Sequence, residues 1–173
     1  MTLSGGEPMF QPEFAISLME KCKESGISTC METSGFFDKL YLHRLVNCCD
    51  LFLWDIKDTD QDRHKRYTGV YPERIVNNLK AADALGAKII IRCILVHSVN
   101  DDNIHAENIR RLASDLKNCI GVDILPYHAF GGSKSSKLGL KDNGIADWIP
   151  SDDNVLKFRE IVKKSVSRCN ILS

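Results

Sequence analysis

Five short polar motifs carry the side chains that could do chemistry; four of them follow an apolar run, and the fifth, Arg92, lies late within one. They are Ser4-Gly5-Gly6-Glu7-Pro8, Glu32-Thr33-Ser34-Gly35, Asp55-Ile56-Lys57, Arg92 and Pro126-Tyr127-His128. The paired glycines of the first motif let a backbone approach a ligand closely. Glu7 offers a carboxylate to an ammonium group, while Lys57 or Arg92 can bind a carboxylate or ribose oxygens. This combination favours a zwitterionic, nucleoside-bearing ligand.

A small hard cation is a further ligand that the same motifs could bind. Glu32, Thr33 and Asp55 offer oxygen atoms, although two carboxylates and a hydroxyl are fewer ligands than such ions usually take. Taken singly, each motif has an ordinary structural explanation as a turn, an ion pair or a loop histidine. Five of them at the same end of successive strands indicate a ligand site.

The elements that must position these motifs follow from the apolar pattern. Strands are predicted at Ile27–Met31, Leu51–Ile56, Ala87–Val96 and Val122–Leu125. Their nearly continuous apolar character is typical of parallel strands covered on both faces. Helices are predicted at Pro12–Ser25, Asp38–Asn47, Pro72–Leu85, Asp101–Lys117 and Asp152–Arg168. The stretch 128–151, rich in Gly, Ser and Lys, is interpreted as a surface loop.

This alternation of strand and helix is typical of βα units joined by right-handed crossovers. Counting the short run before Gly5, about five strands result, too few to close an eight-stranded barrel. We therefore predict an α/β fold, a partial, open TIM-type barrel of parallel strands with outer helices, in one domain covering residues 1–173. The run before Gly5 is shorter than the usual strand of about five or six residues. We expect from this that the first βα unit is missing.

Composition excludes several classes of partner. Lys plus Arg and Asp plus Glu both number 23, so no net charge attracts nucleic acid or an anionic membrane. No apolar run approaches the roughly 20 residues of a membrane span, and no signal-peptide pattern is present, so a cytoplasmic protein is predicted. The seven cysteines are interpreted as free buried thiols. His43, His64, His97 and His105 lack paired spacing and are interpreted as solvated.

Over nearly its whole length the chain resembles the radical S-adenosylmethionine (SAM) enzymes, and within them the pyruvate formate-lyase activating enzyme-like activases of glycyl radical enzymes. By resemblance, Gly-Gly-Glu contacts the methionine amino group of SAM, and the motifs at 32–35 and 55–57 line the SAM and monovalent-cation pocket. Arg92 is similar to an arginine near the SAM carboxylate. The run ending at His128, followed by Gly131 and Lys134, implies that His128 faces the ribose or adenine. The implied cofactor-binding residues are Gly5, Gly6, Glu7, Thr33, Ser34, Asp55, Lys57, Arg92 and His128.

The resemblance also implies a 4Fe–4S cluster, bound by a Cys-x3-Cys-x2-Cys motif upstream of the Gly-Gly-Glu segment. No cysteines have that spacing in this chain, and adjacent Cys48 and Cys49 lack a third ligand. The family commonly has Tyr after the lysine at 134, where this chain has Ser135, so that loop is expected to pack differently. The cluster is therefore expected in the full-length form only, and the chain as given is not expected to initiate radicals.

The leading prediction is a portion of an activase whose full-length form cleaves SAM reductively and installs a glycyl radical on a partner such as pyruvate formate-lyase. The resemblance implies an electron donor such as flavodoxin. The alternative is a non-catalytic SAM-pocket or partner-binding domain. A metal-dependent hydrolase using His128 and the carboxylates is a third hypothesis, for which the set of ligands is sparse. A strand edge left unpaired by a missing unit is expected to favour self-association.

Overall fold

A six-stranded parallel sheet forms the framework of the computed structural model, which describes residues 1–128, 146–164 and 170–172. Its strands are β1 (Thr2–Leu3), β2 (Cys30–Thr33), β3 (Leu51–Asp55), β4 (Ile89–Leu95), β5 (Cys119–Pro126) and β6 (Asn170–Leu172). Their order in the sheet is their order in the chain. Within these described residues β1 and β6 are the two edges, so the predicted open, partial barrel of the α/β class is confirmed.

Helices connect the strands. They are α1 (Pro12–Glu24), α2 (Leu42–Cys48), α3 (Gln61–Thr68), α4 (Glu73–Ala84), α5 (Asn103–Asp115) and α6 (Asp152–Lys163). Short 3-10 turns lie at Pro8–Phe10, Lys39–Tyr41 and Ala146–Trp148. Each of the five predicted helices is present. None of the described helices is long and apolar enough to cross a membrane.

Helix α3 was not predicted, because it has almost no apolar face. His64 is its one buried residue. Capping holds it instead: the Asp60 side chain accepts a hydrogen bond from the Arg63 backbone, and Gly69 ends the helix with a left-handed φ of 83°.

The strands differ most from the predictions at the start of β2, at the start of β5 and in the presence of β6. β2 begins at Cys30 rather than Ile27, because the Cys30 N–H donates to the Met1 carbonyl at 2.8 Å and so starts the pairing with β1. β5 begins at Cys119, three residues earlier than predicted. β6 was missed, being three residues long and directly behind a helix predicted to reach Arg168. Residues 165–169, which include the end of that predicted helix, lie outside the described part of the chain.

The two faces of the sheet differ in burial, since side chains alternate along each strand. One face packs under the helices and is fully buried, with Met31, Phe52, Trp54, Ile91 and Val122 among its members. The other face is only half-buried and includes Glu32, Leu53, Asp55, Ile90 and Arg92. The strands were predicted to be covered on both faces, but only the face under the helices is fully buried. The polar residues Glu32, Asp55 and Arg92 lie on the half-buried face.

Candidate functional site

A row of ion pairs joins the carboxyl ends of β2 and β3 to the middle of β4. The Arg92 guanidinium lies between two carboxylates, with Nη1 3.0 Å from Glu32 Oε1 and Nε 2.9 Å from Asp55 Oδ1. Lys57 Nζ lies 2.8 Å from the second Asp55 oxygen. The parallel register places Asp55 directly beside Arg92. We call these four residues, Glu32, Arg92, Asp55 and Lys57, the charge ladder.

The charge ladder is electrically balanced and partly shielded from solvent. Burial by itself lowers the pKa of Arg92, but the charges of Asp55 and Glu32 outweigh it and raise that pKa above its ordinary value. The Arg92 and Asp55 side chains are only 18% and 16% exposed. A fixed guanidinium and a neighbouring ammonium are therefore presented together at the half-open face, where they can bind a ligand carboxylate bidentately or in concert.

Glu7 joins the loop after β1 to the end of β2. Its Oε1 accepts from the Thr33 hydroxyl at 2.8 Å, and its Oε2 accepts from the Ser34 N–H at 2.8 Å and the Ser34 hydroxyl at 2.6 Å. The Met9 N–H is a fourth donor, at 3.3 Å. These donors match the roughly four acceptor sites of a carboxylate. An ammonium group at Glu7 would have to replace one of them. Both hydroxyl donors also accept a backbone N–H, but the bond from Phe36 to the Ser34 hydroxyl, at 3.3 Å, is longer than the bond from Gly35 to the Thr33 hydroxyl, at 2.9 Å.

The predicted glycines and histidine lie at the carboxyl end of the sheet, after β1 and β5 respectively. Gly5 has a φ of 128°, and a Cβ on Gly5 or Gly6 would meet no atom within 4 Å, so this backbone is open to a ligand. His128 is exposed and follows β5 by two residues. The Tyr127 N–H donates to the Leu95 carbonyl at 2.8 Å, which keeps the exit of β5 beside β4. Gly131, Lys134 and Ser135 lie outside the described residues.

The loop after β2 is shaped by a glycine. Gly35 has a φ of 78°, and a Cβ there would lie 2.4 Å from Cζ2 of the Trp54 indole. The buried Asn78 side chain of α4 donates to the carbonyls of Gly35 and Phe37, both at 2.9 Å. The Thr33 hydroxyl, which donates to Glu7, accepts from the Gly35 N–H at 2.9 Å. Glycine is thus required where the loop crosses the indole face.

Comparison with known proteins agrees with this arrangement. A family model described as the radical SAM superfamily matches residues 1–107. The chain belongs to the radical SAM superfamily. It is 35% identical over 168 residues to a trans-4-hydroxy-L-proline dehydratase activating enzyme of Clostridioides difficile, covering 95% of this chain and 55% of the relative. It is 40% identical over 143 residues to a pyruvate formate-lyase-activating enzyme of Clostridium pasteurianum, covering 81% and 58%. The chain spans about half the length of the curated relatives it matches.

Solved structures show the same fold. A domain of pyruvate-formate lyase-activating enzyme from Bacteroides vulgatus matches with a TM-score of 0.82 at 22% identity, covering 100% of this chain and 98% of that one. Streptococcus suis SuiB bound to S-adenosylmethionine matches with a TM-score of 0.71 at 15% identity, covering 99% of this radical SAM chain and 38% of SuiB. At these identities the likeness establishes the architecture only.

Radical SAM membership implies SAM and a 4Fe–4S cluster as cofactors of the family. The cations of the charge ladder and the open glycine backbone suit the aminoacyl part of SAM. The described residues suit a cluster less well, since no group of three His, Cys, Asp or Glu side chains among them is placed to hold a metal ion. The Cys48 and Cys49 side chains are both buried at the end of α2.

Two histidines of this radical SAM chain correct the sequence interpretation. His64 and His105, expected to be solvated, are 2% and 0% exposed. The Thr59 N–H donates to His105 Nδ1 at 3.3 Å, which leaves Nε2, 3.2 Å from the Cys93 sulfur, to carry the proton. The sequence does indicate the burial of His105, because the helical spacing places it on the apolar face of α5 with Ile109. Its ring anchors the segment that directly follows Lys57.

Acid is expected to destabilise the protein through His105. Burial lowers the pKa of His105 to about 4, from 6.5. The unfolded chain therefore takes up this proton first as the pH falls, and stability present above pH 6.5 is lost on the way to pH 4. The expected loss between pH 6.5 and pH 5 is about 2 kcal/mol, measured by urea unfolding. His105→Gln cannot be protonated and should flatten this part of the curve; an unchanged slope would contradict the assignment.

Proposed function

We propose that this chain is the SAM-binding portion of a glycyl-radical-enzyme activase. The observation that carries the proposal is the charge ladder, which lies near Glu7 and two open glycines toward the carboxyl end of the sheet in a radical SAM fold. The relatives at 33 to 40% identity are activating enzymes for several different glycyl radical enzymes, which supports the same role for the complete protein.

In this proposal each part of SAM has its own binding residues. Arg92 and Lys57 bind the methionine carboxylate, while Glu7 binds the ammonium group in exchange for the Ser34 hydroxyl. The backbone of Gly5 and Gly6 lies against the ligand, and His128 faces the ribose or adenine. No catalytic residue is assigned, because the reactive group belongs to the cofactors.

A monovalent cation is proposed beside the SAM carboxylate, at Glu32, Thr33 and Asp55. Glu32 also accepts from the Ser4 hydroxyl at 2.7 Å, and both carboxylates also contact Arg92, so the ion would share them. Thr33 would contribute while its hydroxyl remains bonded to Glu7.

The remaining elements of the proposal concern the complete protein. The 4Fe–4S cluster, bound in the full-length form, supplies the electron for reductive cleavage of SAM. The partner is a glycyl radical enzyme such as pyruvate formate-lyase, and the electron donor is a flavodoxin-like protein. Residues 1–173 form one cytoplasmic domain that can self-associate through the edge of β1. A non-catalytic SAM-pocket or partner-binding role is the alternative.

Calorimetry with two ligands tests the proposed pocket. SAM is expected to bind about tenfold more tightly than decarboxylated SAM, because the latter has no carboxylate for Lys57 and Arg92. In the Lys57→Met variant, the difference in affinity between SAM and decarboxylated SAM should be smaller. Equal affinities of the wild-type chain for the two ligands would contradict the proposed orientation, and failure to bind either would contradict the pocket. Tight binding of a divalent metal in place of SAM would instead support a hydrolase.

Anaerobic reconstitution separates the activase portion from the non-catalytic domain. With iron and sulfide alone, this chain is expected to form no site-specific cluster. Adding an upstream segment with the Cys-x3-Cys-x2-Cys motif should produce cluster absorption and, once a one-electron chemical reductant is added, reductive cleavage of SAM. A cluster with no SAM cleavage after that addition would favour the non-catalytic alternative.

A further inference from the structure

One buried amide links the loop of Lys57 to the strand of Arg92. Asn100 is 2% exposed. Its Nδ2 donates to the Lys57 carbonyl at 2.8 Å and to the Ile94 carbonyl at 2.9 Å, while its Oδ1 accepts from the Val96 N–H at 2.7 Å. Ile94 lies two residues after Arg92 on β4. The Asn100 amide thus bonds both to the backbone of Lys57 and to the strand that carries Arg92.

Other hydrogen bonds hold the residues on either side of Lys57 but do not hold Lys57 itself. Before it, the Ile56 N–H donates to the Arg92 carbonyl at 2.9 Å. After it, the Asp58 carboxylate is held by Arg63, whose Nη1 also donates to Asp102 at 2.7 Å. The Lys57 side chain is 37% exposed, so its own ion pair with Asp55 constrains it only weakly. The Asn100 bond acts on the Lys57 carbonyl between these two anchors.

We propose that Asn100 is a positioning residue for ligand binding, which holds Lys57 so that its ammonium and the Arg92 guanidinium address the same ligand carboxylate. The inference rests on the proposed SAM pocket and adds a residue to it. Lysine carries a point charge on a flexible stem, so its contribution to binding depends on where its backbone is held. The Asn100 side chain is buried in the turn after β4, so its effect on the ligand would pass through Lys57.

A double-mutant cycle tests whether Asn100 acts through Lys57. The readout is the dissociation constant of SAM from chemical-shift titration of the labelled chain. Asn100→Asp keeps the acceptor for Val96 but loses both donors, and Asn100→Leu removes the amide without adding charge. We expect about tenfold weaker binding for either variant in the wild-type background, and less than twofold in the Lys57→Met background.

A matched control separates positioning from general destabilisation. Thr29 is equally buried, and its hydroxyl donates to the Cys48 carbonyl at 2.7 Å at the opposite end of the sheet. Thr29→Val should lower stability and leave SAM binding unchanged. Equal weakening by Asn100→Leu in both backgrounds, or no weakening at all, would overturn the positioning role while leaving the pocket standing. A wild-type chain that does not bind SAM would overturn the proposed function itself, and the inference with it.

Discussion

Gly35→Ala is expected to lower the free energy of unfolding by about 4 kcal/mol, through left-handed backbone strain and overpacking together. The added Cβ would lie between 2.4 and 2.6 Å from three atoms of the Trp54 indole. That indole cannot yield, because it is fully buried and lies between Phe37 and Phe52, at ring distances of 6.1 and 5.9 Å. Urea unfolding followed by circular dichroism measures the loss.

Gly69→Ala is the matched control for this prediction. Gly69 has a similar φ of 83°, but a Cβ there would meet no atom within 4 Å. Gly69→Ala should therefore lose only the stability that corresponds to backbone strain, about 1 to 2 kcal/mol. If the two alanine variants lost the same stability, the close approach of the loop to the indole would not be the cause.

Arg92→Met is expected to weaken SAM binding at least about 100-fold, equivalent to about 3 kcal/mol. The variant loses the guanidinium and leaves Glu32 and Asp55 as neighbouring carboxylates that repel the carboxylate of the ligand. Removing one partner from a partly buried ion pair also destabilises the fold. The dissociation constant is measured by calorimetry at a temperature where the variant remains folded.

The outer surface offers a matched arginine for this experiment. Arg44 likewise contacts two carboxylates, Glu13 at 2.9 Å and Glu20 at 3.4 Å, but it is 45% exposed and joins α1 to α2. Arg44→Met should cost less than about 1 kcal/mol of stability and leave SAM binding unchanged. Comparable loss of SAM binding in both variants would mean that Arg92 has no specific contact with the ligand.

The sequence predicts the parts of this site that follow from strand topology. Because Asp55 ends one apolar run and Arg92 lies late in the next, parallel pairing brings them close, and the structure places them in direct contact. The same reasoning places Glu7 and His128 at the carboxyl end of the sheet. Strand topology does not predict where β2 begins. Its first residue is set by the hydrogen bond from Cys30 to Met1 and not by the apolar run from Ile27.

The supporting interactions were harder to read because they depend on distant partners. His105 lies on the apolar face of α5, but its partners Thr59 and Cys93 come from distant parts of the chain. Asn100 has no distinctive neighbours in sequence, and its role follows from three backbone groups that meet only in the folded chain. Helix α3 depends on caps and ion pairs rather than on periodicity, so apolar patterning does not reveal it.

The sequential order of the sheet has a consequence for biosynthesis. Each strand from β2 to β6 hydrogen-bonds to the strand made just before it, so none has to wait for a partner still inside the ribosome. Pairings between near neighbours in the chain are formed early and at a low entropic cost. The nascent polypeptide can therefore extend its sheet one strand at a time. The most recently formed strand is always the one to which the strand of the next βα unit pairs.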